Sequence, residues 1–210
     1  ARAAVKRFEE AGRRSGISTE SRVILHGEEA APGVFAFIGR RFDLSVIMQP
    51  DPDGSGLNDL LLESALFESG RPMIAVPYIR KSGVKLDRVT CCWDGGRTAA
   101  RAINDALPLL KKARAVELFI IENAKTRYEK EIQGAGMARH LARHGVDVEV
   151  EMLPAADIDV GNAILSHASD RSVDMIVMGG YGHSRFREFV LGGTTREILS
   201  TMTVPVFMSH

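Results

Sequence analysis

Met175-Ile176-Val177-Met178-Gly179-Gly180-Tyr181-Gly182, then a nine-residue segment from His183 to Leu191, then Gly192-Gly193-Thr194-Thr195, is the stretch on which the reading of this chain turns. Four apolar residues in succession, Met175 to Met178, predict a buried strand. Glycines directly after such a strand let the backbone pass close to a ligand, because no Cβ stands in the way. Thr194 with Glu197 three residues on, ahead of Ile198 and Leu199, has the pattern of a capping box and predicts the start of a helix. Free N–H groups at a helix start, with the dipole behind them, form an anion site that needs no basic side chain. The stretch therefore reads as two phosphate-facing turns joined by a short amphipathic helix over Ser184–Leu191.

Outward from this stretch, strands and helices alternate. Apolar runs predict strands at Arg88–Trp93, Val116–Ile121, Val146–Met152, Asp174–Met178 and Val204–Met208. Helical spacing predicts helices at Arg97–Ala113, Thr126–His144, Val160–Asp170 and Thr194–Met202. Each strand is apolar nearly end to end, as when helices cover both faces of a parallel sheet. Strict alternation points to an α/β sheet with right-handed crossovers. Upstream, a helical pattern runs to Gly16, a strand is expected at Ser21–His26, and a helix at Ala31–Arg41 with Pro32 in its first turn. A strand at Leu44–Met48, a loop over Pro50–Gly56, a helix at Leu57–Ser69 and a strand at Pro72–Pro77 follow. Polar Arg80 to Asp87 reads as a linker.

The two halves repeat one another. Arg40 to Met48 parallels Arg171 to Met178, and Leu66 to Pro72 with Val76 matches Ile198 to Pro205 with Met208, at an offset of 131 to 133 residues. The reading is a tandem duplication whose first copy lacks its first two strands. A parallel sheet without its central strand would expose long edges, so further sequence is expected ahead of Ala1.

Composition narrows the function. Of 210 residues, 45% are hydrophobic and 26% charged, ordinary for a globular chain. Lys plus Arg equals Asp plus Glu, 27 each, which removes the electrostatic case for nucleic acid or an anionic membrane as partner. No apolar run approaches the roughly 18–20 residues that span a bilayer. Cys91 and Cys92 are the only cysteines and lie side by side in an apolar strand, which argues for core residues and for a reducing, cytoplasmic setting.

Gly179-x-x-Gly182, nine residues, then Gly192 resembles the nucleotide-binding signature of the universal stress protein family, in which that last glycine precedes Ser or Thr. Here the position is Gly193, which keeps a backbone N–H and loses the hydroxyl; Thr194 and Thr195 are the neighbours that carry one. The resemblance implies a partial, degenerate domain over residues 1–79 and a complete one over 87–210. It implies a flavodoxin-like, Rossmann-like parallel sheet with strand order 3-2-1-4-5, and ligand at the carboxyl ends of the strands where the winding reverses. That point is Cys92-Trp93-Asp94-Gly95-Gly96, facing Met178-Gly179. Asp94 corresponds to the family's acidic contact to the adenosine moiety; on the residues alone it equally suits the N-cap of the helix near Arg97. Cys92 and Met178 would flank the base, and each also reads as a core residue. Gly179, Gly182, His183, Gly192, Gly193, Thr194 and Thr195 complete the expected phosphate loops. His183 has no nucleophile or carboxylate spaced to accompany it, so no catalytic role is expected. The first half carries Gln49-Pro50-Asp51-Pro52-Asp53 in place of the signature and should bind no nucleotide.

The resemblance thus implies a stress-response or regulatory module that binds ATP, with Mg²⁺ carried by the nucleotide, and hydrolyses it slowly at most. The alternative is a relative that binds no nucleotide and acts through protein contacts. A dedicated nucleotide enzyme is disfavoured, because the chain has no G-x-x-x-x-G-K-[ST] loop. The last strand would be an exposed edge, so Pro72–Pro77 is expected against Val204–Met208 as an internal pseudo-dimer, and a homodimer beyond that is compatible with the sequence.

Overall fold

The computed structural model describes residues 2–23, 27, 29–50, 56–80, 83–122, 134–154, 159–180 and 193–210. In chain order these form α1 (Arg2–Arg14), α2 (Ala31–Gly39), β1 (Ser45–Met48), α3 (Leu57–Glu68), β2 (Met73–Val76), β3 (Arg88–Cys92), α4 (Arg97–Asp105), α5 (Leu107–Leu110), β4 (Ala115–Glu122), α6 (Ala135–Arg143), β5 (Val148–Pro154), α7 (Val160–Asp170), β6 (Met175–Gly179), α8 (Gly193–Thr201) and β7 (Val206–Ser209). The chain divides into two compact units, residues 1–31 and 32–210.

The first unit holds α1. Its helix stops at Gly16, whose φ of 65° is open to glycine at little cost, and the Ile17 N–H returns to the Gly12 carbonyl at 2.9 Å. Ser21 donates to Glu9 at 2.8 Å and ties the following segment to the helix. Ser21–Val23 are not a strand, contrary to the sequence expectation; residues 24–26 lie outside the described residues.

The second unit is built on one seven-stranded sheet in the order β1-β2-β7-β6-β3-β4-β5. The five strands from β3 onward stand in the order third, second, first, fourth, fifth, all parallel, as a flavodoxin-like sheet requires. The detail that differs is the continuation: β2 joins β7 antiparallel, and β1 joins β2 parallel, so the whole sheet is mixed. Met73 lies opposite Met208 and Ala75 opposite Val206, which is the edge pairing expected from the exposed last strand.

Alternation along the strands divides the core into two layers. Ile176 and Met178 face α3, α7 and α8 with Leu62, Leu66, Ile164, Ile198 and Leu199. Met175 and Val177 face α4, α5 and α6 with Ala102, Ile103, Leu110 and Leu141. Asp174 fixes the start of β3 beside β6, its carboxylate accepting the Asp87 and Arg88 N–H groups at 3.0 Å each. The helix expected over Arg97–Ala113 is broken in two, because Pro108 has no N–H to return to Asn104.

Helix ends follow local chemistry. Past α6, Gly145 takes φ of 79°, its N–H reaches the Ala142 carbonyl and that of Val146 reaches Leu141, closing the helix with Val146 buried beneath it. Val146 is thus a cap residue, and β5 begins two residues later than expected. The same closure ends α7, with Val173 N–H on the Ala168 carbonyl at 2.8 Å, but here the left-handed position is Ser172 at φ of 52°. A non-glycine residue in that region carries about 1 kcal/mol of strain. Ser172→Gly should therefore raise stability by roughly 0.5–1 kcal/mol, read as a higher urea midpoint at unchanged slope; an unchanged or lower midpoint would contradict the strain.

Candidate functional site

β3 delivers the chain to the carboxyl edge of the sheet at its winding reversal, between β4 on one side and β6 on the other. Beyond the strand, the Trp93 N–H still donates to the Phe119 carbonyl at 2.9 Å. The chain then turns: the Asp94 carboxylate accepts the Gly96 N–H at 2.7 Å, and Gly95 adopts φ of 76°, a conformation that any side chain would strain. Gly96 is the extended residue that opens α4, and a Cβ on it would stand 2.8 Å from the Asp94 carboxylate. Asp94 therefore shapes the turn two residues ahead of the helix and does not cap it. It is exposed, and a carboxylate engaged through one bond keeps capacity for others.

The second turn meets the first. A Cβ on Gly179, at the end of β6, would lie 2.6 Å from the backbone of Thr98 and Ala99 and 2.7 Å from the Thr98 hydroxyl oxygen. The first turn of α4 is pressed directly onto the strand end, and only glycine permits that separation. The next residue is held as firmly. Gly180 donates to the Ser209 carbonyl at 2.8 Å, His210 bonds the Gly180 carbonyl at 2.9 Å, and a Cβ there would meet Leu66 at 2.8 Å. Thr98, Leu66 and Gly180 were not among the expected site residues. The legible signal was two consecutive glycines ending a buried strand.

Among the expected site residues, the structure brings Cys92, Asp94, Gly95, Gly96, Met178 and Gly179 to one edge. Met178 is a core residue at 6% exposure, and half-buried Cys92 packs against the same cluster. Burial, and then the Asp94 and Glu117 carboxylates, push the Cys92 thiol up to about 12; burial pushes the Cys91 thiol up further. Both stay protonated at neutral pH, which makes neither a ready nucleophile. Among the described residues there is no group of three or more His, Cys, Asp and Glu side chains able to hold a metal ion.

The second loop is described only from α8 onward; Gly182, His183 and Gly192 lie outside the described residues. α8 begins at Gly193, so Thr194 sits within the helix and not ahead of it as a cap. Glu197 looks elsewhere: it accepts the Asn162 side-chain amide at 2.6 Å and pairs with Asp159, the cap of α7. The hydrogen bond with the Asp159 carboxylate, and then some burial, holds the Glu197 carboxyl above its usual range. Thr195 is buried against the core, Thr194 is half-buried, and Gly193 is exposed. A Cβ on Gly193 meets no described atom within 4 Å.

A family model described as the universal stress protein family matches residues 85–210. The chain belongs to the universal stress protein family. It is similar to a universal stress protein from Synechocystis, 34% identical over 91 residues, which is 42% of this chain and 31% of the relative's own length. In fold it is similar to a universal stress protein from Archaeoglobus fulgidus, with a TM-score of 0.70 at 19% identity over 99% of this chain and 76% of that one. It is also similar to a universal stress protein described as putative from Pseudomonas aeruginosa, with a TM-score of 0.63 at 16% identity over 99% of this chain and 77% of that one.

Gly179→Ala tests the close contact. Its methyl group would enter backbone, which cannot swing aside, so the expected cost is about 1–3 kcal/mol in urea unfolding. A cost below about 0.5 kcal/mol would show that the α4 turn is not seated on this strand end.

Proposed function

We propose that this chain is a regulatory, stress-response module that binds ATP, with Mg²⁺ carried by the nucleotide, in the domain over residues 87–210, and hydrolyses it slowly at most. The supporting observation is the seating of the α4 turn on Gly179. It aligns the helix N-terminus, the Asp94–Gly96 turn and the exit of β6 on one edge of the sheet. Backbone N–H groups and a helix dipole suit phosphate without basic side chains. The chain as a whole is neutral, so these dipoles carry the attraction.

In this reading Asp94 accepts from ribose hydroxyls. Gly179, Gly182, His183, Gly192 and Gly193 line the phosphates through their backbone, and Thr194 supplies a hydroxyl. Residues 1–79 form a partial, degenerate domain without nucleotide. Its pairing of β2 with β7 serves as the internal pseudo-dimer.

Calorimetric titration with ATP and Mg²⁺ tests this on three proteins. The parent should bind, and the Gly182→Val/Gly192→Val double variant should not. Gly193→Ser, which places a hydroxyl where a Cβ meets no described atom within 4 Å, should bind several-fold more tightly, as a hydrogen bond to a charged group implies. Absence of binding by the folded parent would overturn the proposal and leave a module acting through protein contacts.

A further inference from the structure

Two histidines stand one turn apart at the end of α6. His140 is half-buried, and His144, the residue that closes the helix, is exposed. Their ring centroids are 4.5 Å apart, with the planes tilted by 48°. Hydrogen bonds fix which nitrogen of each ring carries the proton. Asn104 of α4 donates its Nδ2 to the Ala100 carbonyl at 2.7 Å, so the atom 2.9 Å from His140 Nε2 is Oδ1, an acceptor. His140 Nε2 is therefore the donor, and its Nδ1 holds the lone pair. His144 Nδ1 lies 3.0 Å from the His140 backbone carbonyl, which also only accepts, so its lone pair is on Nε2. Each neutral ring thus has one basic nitrogen while the other is tied to an oxygen, the arrangement that orients metal-ligating histidines.

We propose that His140 and His144 form a binding site for a divalent transition-metal ion, ligated by His140 Nδ1 and His144 Nε2 and completed by water. The spacing of the rings fits. With metal–nitrogen distances of about 2.0 Å an ion stands about 3.1 Å from each ring centroid, and centroids 4.5 Å apart then subtend about 90°. That is the angle between neighbouring ligands of a tetragonal site, which together with imidazole donors selects Cu²⁺ ahead of Zn²⁺. Mg²⁺ and Ca²⁺ are excluded, because they take oxygen ligands. The C-terminal end of α6 favours a cation through the helix dipole. Arg139 and Arg143 on the same helix oppose it, but both are exposed and their charges are screened by water and salt. Among the described residues no third His, Cys, Asp or Glu joins the pair, so the ion exchanges with solvent and does not hold the fold together. This inference does not depend on nucleotide binding.

The test titrates Cu²⁺ alone into the whole chain and reads the fluorescence of Trp93, the one tryptophan, which lines the same cleft as His140. The parent should show saturable quenching, reversed by excess Zn²⁺ and untouched by Mg²⁺. His140→Gln and His144→Gln should each weaken binding at least about tenfold while keeping the parent's urea midpoint, since neither ring is in the core. Asn104→Asp, which keeps an acceptor on His140 Nε2 and adds charge, should bind several-fold more tightly, and Asn104→Ala several-fold more weakly. In the ¹⁵N-labelled chain, paramagnetic Cu²⁺ should broaden the amide signals of residues 137–145 before all others. The chain has six histidines, so location decides the matter. Quenching unchanged in the His140→Gln/His144→Gln double variant, broadening centred elsewhere, or neither effect in the folded parent would overturn the proposal.

Discussion

The close approach of α4 to the end of β6 is the constraint from which the site follows. A helix backbone within 2.6 Å of a would-be Cβ is possible only at glycine, and Gly179 meets that demand where β6 ends. The contact fixes three things together. It sets where the helix N-terminus points, how the Asp94–Gly96 turn lies beside the sheet edge, and where the chain leaves β6. Gly180, bonded to Ser209 and His210, holds that exit from the other side. Packing and site geometry are here one feature.

The interior beneath the edge is unusually polar at one place, and it is closed. Glu117 is 1% exposed, paired with His167 at 2.8 Å and approached by the Thr90 hydroxyl at 3.3 Å, while Phe119 stacks on the His167 ring at 3.9 Å. Removing His167 would leave the buried Glu117 with the Thr90 hydroxyl alone, which is costly. The cluster ties α7 to β3 and β4 and sits within the layer that carries Met178, so it belongs to the support of the edge. The Cys92 thiol, raised by burial and by the neighbouring Asp94 and Glu117 carboxylates, is part of the same dry surround.

What the sequence disclosed was what local patterning controls. The apolar runs at Arg88, Val116 and Met175 are strands, and the 3-2-1-4-5 order of the complete set is the one that the resemblance to the family implied. Boundaries shifted where one residue's chemistry intervened: Pro108 splits a helix, and Gly145 and Val146 close one where a strand was expected to begin. The capping box at Thr194 was misleading because it is a pattern of residue types, and Glu197 found a nearer partner in Asn162 of α7, a contact between distant segments. The roles of Thr98 and Leu66 were illegible for the same reason, since each acts only by lying against a glycine far away in the chain. Asp94 kept a place at the edge, but as the shaper of a turn.

The central claim is that an anionic nucleotide is received by the backbone amides that this helix–strand contact aligns. Titration of the ¹⁵N-labelled protein with ATP and Mg²⁺, followed by amide chemical shifts, addresses it at single residues. The account predicts the largest shifts at Gly95, Thr98 and Gly193, saturating together with one dissociation constant. Shifts confined to other surfaces, or none at these amides at saturating nucleotide, would contradict it.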